Sequence, residues 1–291
     1  MSRREKIFIS VVLGILLGLG GAAEAADPLK VFVSLPPQKH FVERLGGDRV
    51  TVTVLVPPGA DPHTFEPSPA QMKALSQASL YFAVGIPFEK ALLPRIRSVN
   101  PQLTVISTDR ALPKRFTADH GHSHDHGDGE PDPHVWLSPP LVMAMARTMA
   151  LALMDADPAH GDGYEARYKD FLSDVASLDM DISRTFRDAK PPRAFYVFHP
   201  SWGYFADAYG LEQVAVEWEG KEAKPAHLKE LIESARRAGV KVLFVQPQFS
   251  RRSAEMIAKE IGATVEVIDP LAENWTENLR QVSRRLREAM P

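Results

Sequence analysis

No cysteine occurs in the 291 residues. This excludes disulfides, thiolate metal sites, cysteine nucleophiles and an acylated cysteine at a processing site. Any metal site must therefore use nitrogen and oxygen ligands. Charge of one sign is also missing: 34 Lys and Arg against 37 Asp and Glu leave a net charge of −3. Nucleic acid is not an expected partner, because binding its phosphates needs a cationic footprint. Apolar runs are short. The longest, Ile7 to Leu19, falls below the roughly 20 residues that a membrane-crossing helix requires. What remains, 44% hydrophobic and 24% charged residues, is the composition of an ordinary globular protein. At roughly 150 residues per domain, the length fits about two domains.

Arg3, Arg4 and Lys6 precede the apolar run, and small residues ending in Ala23-Glu24-Ala25 follow it. That order predicts a cleavable export signal over residues 1–25, with processing near Ala25. Without a cysteine to acylate, the expected product is a soluble periplasmic protein and not a lipoprotein.

Short β-branched and aromatic runs alternate with amphipathic stretches from Val31 onward, the rhythm of strand-helix units in parallel sheets. Strands are expected at 31–35, 50–56, 79–84 and 103–107, and again at 194–198, 214–218, 241–246 and 263–268. Helices are expected near 37–45, 69–77, 88–98, 201–209, 225–238, 251–261 and 273–289. The fold class is therefore α/β, with two similar lobes of mostly parallel sheet. The first lobe spans 26–137, a helical segment 138–190, and the second lobe 191–291. Within the middle segment, Tyr164, Tyr168, Phe171, Val175, Leu178, Ile182 and Phe186 define one helical stripe. A helix over 160–189 would be about 40 Å long at 1.5 Å per residue, enough to bridge both lobes stiffly.

Ten histidines are present, in two kinds of setting. His120, His122, His124 and His126 alternate in a Gly/Asp-rich stretch without apolar periodicity, read as a loop over 119–130 and a candidate auxiliary metal collector. His63, His134 and His199, with Asp269, instead sit at strand ends or helix entries, where α/β sheets open their ligand crevice. Each adjoins a proline, Pro62, Pro133, Pro200 or Pro270, which restricts the backbone around it. Three imidazoles and one carboxylate form a complete tetrahedral set for Zn²⁺, whereas oxygen-rich sets suit Mn²⁺ better.

In the segments PPGADPHTFEPSP (57–69), DPHVWLSP (132–139), HPSWGYFADAYGL (199–211) and IDPLA (268–272), the chain resembles the metal-binding receptors of bacterial ABC importers for zinc and manganese. The resemblance covers the whole mature chain. It implies two α/β lobes joined by a rigid helix and one metal between them, held by His63, His134, His199 and Asp269. It further implies a monomer that delivers Zn²⁺ to a membrane permease. Manganese-type members tend to carry a carboxylate where this chain has His199, which favours zinc. The histidine-rich loop is similar to that of zinc-type members.

Other residues receive more modest roles. Glu66 is a candidate partner that would hold one of the ligands from behind. His40, His160 and His227 are expected on the surface. Trp202, Tyr204 and Phe205 would wall the cleft or pack the core, and Glu217 and Glu219 read as exposed charges at a strand end. A manganese or iron receptor and an exported zinc hydrolase are the competing functions. The second is disfavoured because neither HExxH nor GxSxG occurs in the chain.

Overall fold

A computed structural model describes residues 27–116, 131–217 and 225–290. The expected signal over 1–25, the loop histidines 120, 122, 124 and 126, and Glu219 lie outside the described residues. No helix among the described residues is long and apolar enough to cross a membrane.

The first sheet contains β1 (Leu29–Val33), β2 (Val50–Val54), β3 (Leu80–Ala83) and β4 (Thr104–Ser107), in the order β2-β1-β3-β4. All its ladders are parallel. Such a sheet needs cover on both faces, and its inner strands show it. Every residue of β3, LYFA, is buried, while the edge strand β2, VTVTV, exposes alternate threonines. The cover comes from α1 (Pro36–Gly46), α2 (Pro69–Leu75) and α3 (Pro87–Val99), each with proline in its first turn, where the missing N–H costs nothing.

The second sheet repeats the plan. Its strands β5 (Ala194–Val197), β6 (Glu212–Ala215), β7 (Val242–Val245) and β8 (Thr264–Val267) run parallel in the order β6-β5-β7-β8. Between the sheets lie α4 (Pro139–Ala156) and α5 (Gly161–Phe186), and the second lobe adds α6 (Gly203–Tyr209), α7 (Pro225–Arg237), α8 (Arg251–Ile261) and α9 (Trp275–Ala289). Each expected strand and helix overlaps an observed one.

Helix α5 has 26 residues, about 39 Å at 1.5 Å per residue. Its stripe, Tyr164, Phe171, Val175, Leu178, Ile182 and Phe186, is buried. It packs on α1 of the first lobe and on α6 and α9 of the second, so it joins the two. The lobes also share side chains. Trp136 donates its Nε1–H to the Pro270 carbonyl at 2.8 Å, and Trp275 donates to the Trp136 carbonyl at 2.7 Å. The Trp275 ring meets Phe41 edge-on at 5.0 Å. One apolar core consequently runs through both lobes.

His40 departs from its expected surface position. It is half-buried on α1, with its ring against Phe41 and Phe171, and burial lowers its pKa. The periodicity of α1 places it on the flank facing α5, which a short sequence window did not reveal. His160 is part-buried, held by Asp157 at the start of α5. His227 lies on α7.

A carboxylate is buried in the first lobe. Glu89, in the first turn of α3, is 3% exposed and accepts hydrogen bonds from Ser34 Oγ, Val84 N and Gly85 N. Gly85 has φ +88°, and a Cβ there would meet the Asp109 carboxylate at 2.5 Å, so the turn requires glycine. Burial pushes the Glu89 pKa up to about 7, although these donors oppose it. Its folded pKa thus lies above the ordinary value of 4.5, and the folded state holds the proton more tightly. The resulting stability is full below that ordinary value and is lost as pH rises through about 7. The loss amounts to about 3 kcal/mol between those limits. Urea unfolding from pH 4 to 8 should show this decline in the wild type relative to Glu89→Gln, and parallel curves would contradict it.

Candidate metal centre

All the expected ligands lie in loops that leave the carboxyl ends of strands, His63 after β2, His134 beyond β4, His199 after β5 and Asp269 after β8. Short local hydrogen bonds shape three of these loops in the same way. In Asp61-Pro62-His63, the Asp61 Oδ1 accepts the His63 N–H at 2.9 Å; in Asp132-Pro133-His134, the Asp132 Oδ1 accepts the His134 N–H at 3.0 Å. In Asp269-Pro270-Leu271, the Asp269 Oδ1 accepts the Leu271 N–H at 2.9 Å. An aspartate bonded to the backbone two residues on closes a tight turn, and the intervening proline fixes its φ.

The three histidine rings converge. Centroids lie 5.0 Å apart for His63 and His199, 5.3 Å for His134 and His199, and 5.6 Å for His63 and His134. One nitrogen from each falls within 4.8 Å of the others. A zinc ion with nitrogen ligands at about 2.0–2.1 Å needs them about 3.3 Å apart. The cavity they line, with Trp136, Phe249 and Leu271, holds about 10 Å³. That is room for about one water-sized body, so an ion fits and an organic solute does not.

Two rings are pinned by carboxylates. His134 Nδ1 bonds Asp132 Oδ1 at 2.7 Å, and His199 Nδ1 bonds Glu217 Oε2 at 2.8 Å, all four side chains being buried. Each bond fixes the tautomer and turns Nε2 into the cavity. His199 Nε2 is buried without a hydrogen-bond partner among the described residues. Such an orphaned acceptor is costly unless something electropositive meets it. Burial lowers the His199 pKa against the opposing pull of Glu217, which keeps the ring in the neutral form that can ligate. Gln246 clamps the same residue's backbone, donating to the His199 carbonyl at 2.6 Å and accepting its N–H at 3.2 Å. Phe249 stacks on the ring at 4.6 Å.

Asp269 is not part of the cluster of three. Its Oδ1 closes its own turn and accepts from Gln248 Nε2 at 3.2 Å, while Gln248, Pro270 and Leu271 line the cavity beside it. Glu66 is exposed and does not line the cavity; Asp61, five residues before it, occupies that place. Glu217 reverses the expectation of an exposed strand-end charge: it is 9% exposed and holds His199. Its backbone N–H still bonds the Phe198 carbonyl, so the pairing of β6 with β5 carries it to the ring. Trp202 and Phe205 pack the core and leave the cavity wall to Trp136 and Phe249, while Tyr204 bonds the Asp132 carbonyl at 3.0 Å. Sequence reasoning passed over Asp132, Asp61 and Gln246. The repeated Asp-Pro-His was the visible signal for the first two.

Residues 31–289 match the sequence profile of the family described as zinc-uptake complex component A, periplasmic. The chain belongs to this family. It is 30% identical over 271 residues to a putative metal-binding protein of Treponema pallidum, covering 89% of this chain and 84% of that one. It is 28% identical over 261 residues to the high-affinity zinc uptake system protein ZnuA of Bacillus subtilis, with 87% and 81% covered. A crystal structure of ZnuA superposes with a TM-score of 0.84 at 40% identity, over 90% of this chain and 99% of that one.

The carboxylate behind His134 gives a direct test. Asp132→Ala removes the bond to the His134 ring and the one to its backbone N–H, and should lower metal affinity by about 10–100-fold or more. Competition against a chelator of known affinity measures this, and an unchanged affinity would remove Asp132 from the site.

Proposed function

We propose that this family member is a periplasmic receptor that captures Zn²⁺ between His63, His134 and His199 and delivers it, without catalysis, to an ABC permease in the inner membrane. The observation that carries the reading is the buried His199 Nε2, aimed with two other imidazoles into a cavity of about 10 Å³. Three imidazoles favour Zn²⁺ over Mn²⁺, which prefers oxygen. Asp269 is the fourth ligand in this reading. Its Oδ1 is committed to the turn, and its Oδ2 is the oxygen left for the ion, in a loop that Gln248 and Asn278 hold. A water in its place would open the position that a hydrolase needs.

Residues 1–25 act as the export signal, with cleavage near Ala25, and the mature receptor works as a monomer that meets its permease transiently. The histidines 120, 122, 124 and 126 supply additional weak sites that raise the local metal concentration.

Isothermal titration of the metal-stripped mature chain with Zn²⁺ should give one tight site. His63→Ala and His199→Ala should each weaken it more than about 100-fold, or about 2.7 kcal/mol, and Asp269→Ala should weaken it less. A wild type without a tight one-to-one site would reject the reading, and preferential retention of manganese would reject its metal.

A further inference from the structure

The second lobe holds a cavity that the metal site does not use. It has a volume of about 280 Å³, lies between α7 and α8, and is walled largely by apolar side chains that include Phe198, Ile232, Met256 and Ile257. Two carboxylates complete it, Glu217 and Glu260. They differ in what already satisfies them. Glu260 lies at the exposed end and is paired with the Arg236 guanidinium at 3.1 Å. Glu217 is buried, and its bonded partner is the imidazole of His199, whose pKa burial has lowered. Met256, on the rim, is 59% exposed. The floor is also the back of the metal centre, because Phe198 directly precedes His199 and Glu217 bonds its ring.

We propose that this cavity is a docking site for a basic side chain with an apolar stem, presented by the permease, and that the docked cation loosens the metal by competing for Glu217. The proposal rests on the receptor reading above. Charge complementarity selects the occupant: apolar walls with a buried carboxylate at the base fit a long aliphatic stem ending in a guanidinium or ammonium. The volume accommodates such a side chain with room to spare. The coupling follows from shared use of one acceptor. A zinc ion on Nε2 draws electron density from the imidazole and strengthens its Nδ1–H bond to Glu217, whereas a cation drawing Glu217 towards the cavity weakens that bond and the ring's donor strength. Zinc and the docked cation therefore oppose each other, and linkage makes the opposition reciprocal. The empty receptor should hold the cation more tightly than the loaded one.

The experiment uses N-hexylguanidinium as the probe and two plugging variants outside the metal centre, Met256→Trp and Ser253→Trp. In the wild type, saturating probe should speed zinc transfer to a chelator about fivefold or more, and the metal-free protein should bind the probe about fivefold more tightly than the zinc-loaded form. In both variants the probe should have no effect. Each variant should bind one zinc as the wild type does, yet support zinc-dependent growth about tenfold less well when it replaces the wild-type gene. Thermal unfolding checks that each variant folds, and either one suffices. Growth equal to wild type with a folded plug, or a release rate indifferent to the probe, would overturn the proposal and leave zinc capture standing. A wild type that binds no zinc would instead overturn the receptor reading. If sedimentation finds a wild-type dimer that the plugs dissociate, the occupant is a second copy of this chain, and the permease assignment fails.

Discussion

An imidazole has two ring nitrogens, and a histidine can present one of them to an ion in a fixed direction only if the other is held. This constraint organises the centre of the molecule. His134 is held by Asp132 and His199 by Glu217, and in both cases the anchor lies on the side away from the cavity. The anchors come from different distances in the chain. Asp132 is two residues from its histidine, so a turn provides it; Glu217 is 18 residues away and depends on the register of two strands. A shift of β6 by one residue would turn the carboxylate to the opposite face and release the ring. The correct fold of the second sheet is thus a condition for the electronic state of a single nitrogen.

The legibility of the chain follows the same division. Strands with a continuous apolar run, such as LYFA in β3, and helices with a regular stripe, such as α5, could be read directly, because burial on a sheet or helix face imposes the pattern. The three histidines could be picked out because each sits at a strand end or helix entry beside a proline. Asp132 and Asp61 were legible in principle through the repeated Asp-Pro-His. Glu217 was not: its place depends on β6 pairing with β5, and nothing within ten residues of it announces a partner at position 199. The same holds for Phe249, which stacks on His199 from the loop after β7. Asp269 was legible as a strand-end carboxylate beside a proline, but the turn that its Oδ1 closes was not.

The two lobes are joined by more than a linker. Helix α5 packs against both, and the Trp136 and Trp275 indoles pass hydrogen bonds between the segment that carries His134 and the one that follows Asp269. Breaking either bond leaves a buried carbonyl unsatisfied, at about 1–3 kcal/mol each. Wide separation of the lobes would break both and expose the shared aromatic cluster of Phe41, Phe171 and Trp275. Opening by a large hinge is therefore expensive in this architecture, in contrast to lobes connected only by extended strands.

In the receptor reading proposed above, a stiff frame poses a problem of release: an ion held by three imidazoles and a carboxylate cannot be shed by moving whole lobes apart. The remaining freedom lies in the loops and in the groups behind the rings. The Asp269 carboxylate is held by Gln248 besides its own turn, with Asn278 donating to the residue's backbone carbonyl at 2.7 Å, and Glu217 is reachable from a cavity open to solvent. Glu217 stands one side chain behind the cavity, on the His199 ring, so in that reading a small displacement of it alters the grip on the ion without disturbing the core. In that reading the stiffness of the frame confines control to the outer groups, and a partner that acts on them needs to supply far less free energy than one that must separate the lobes.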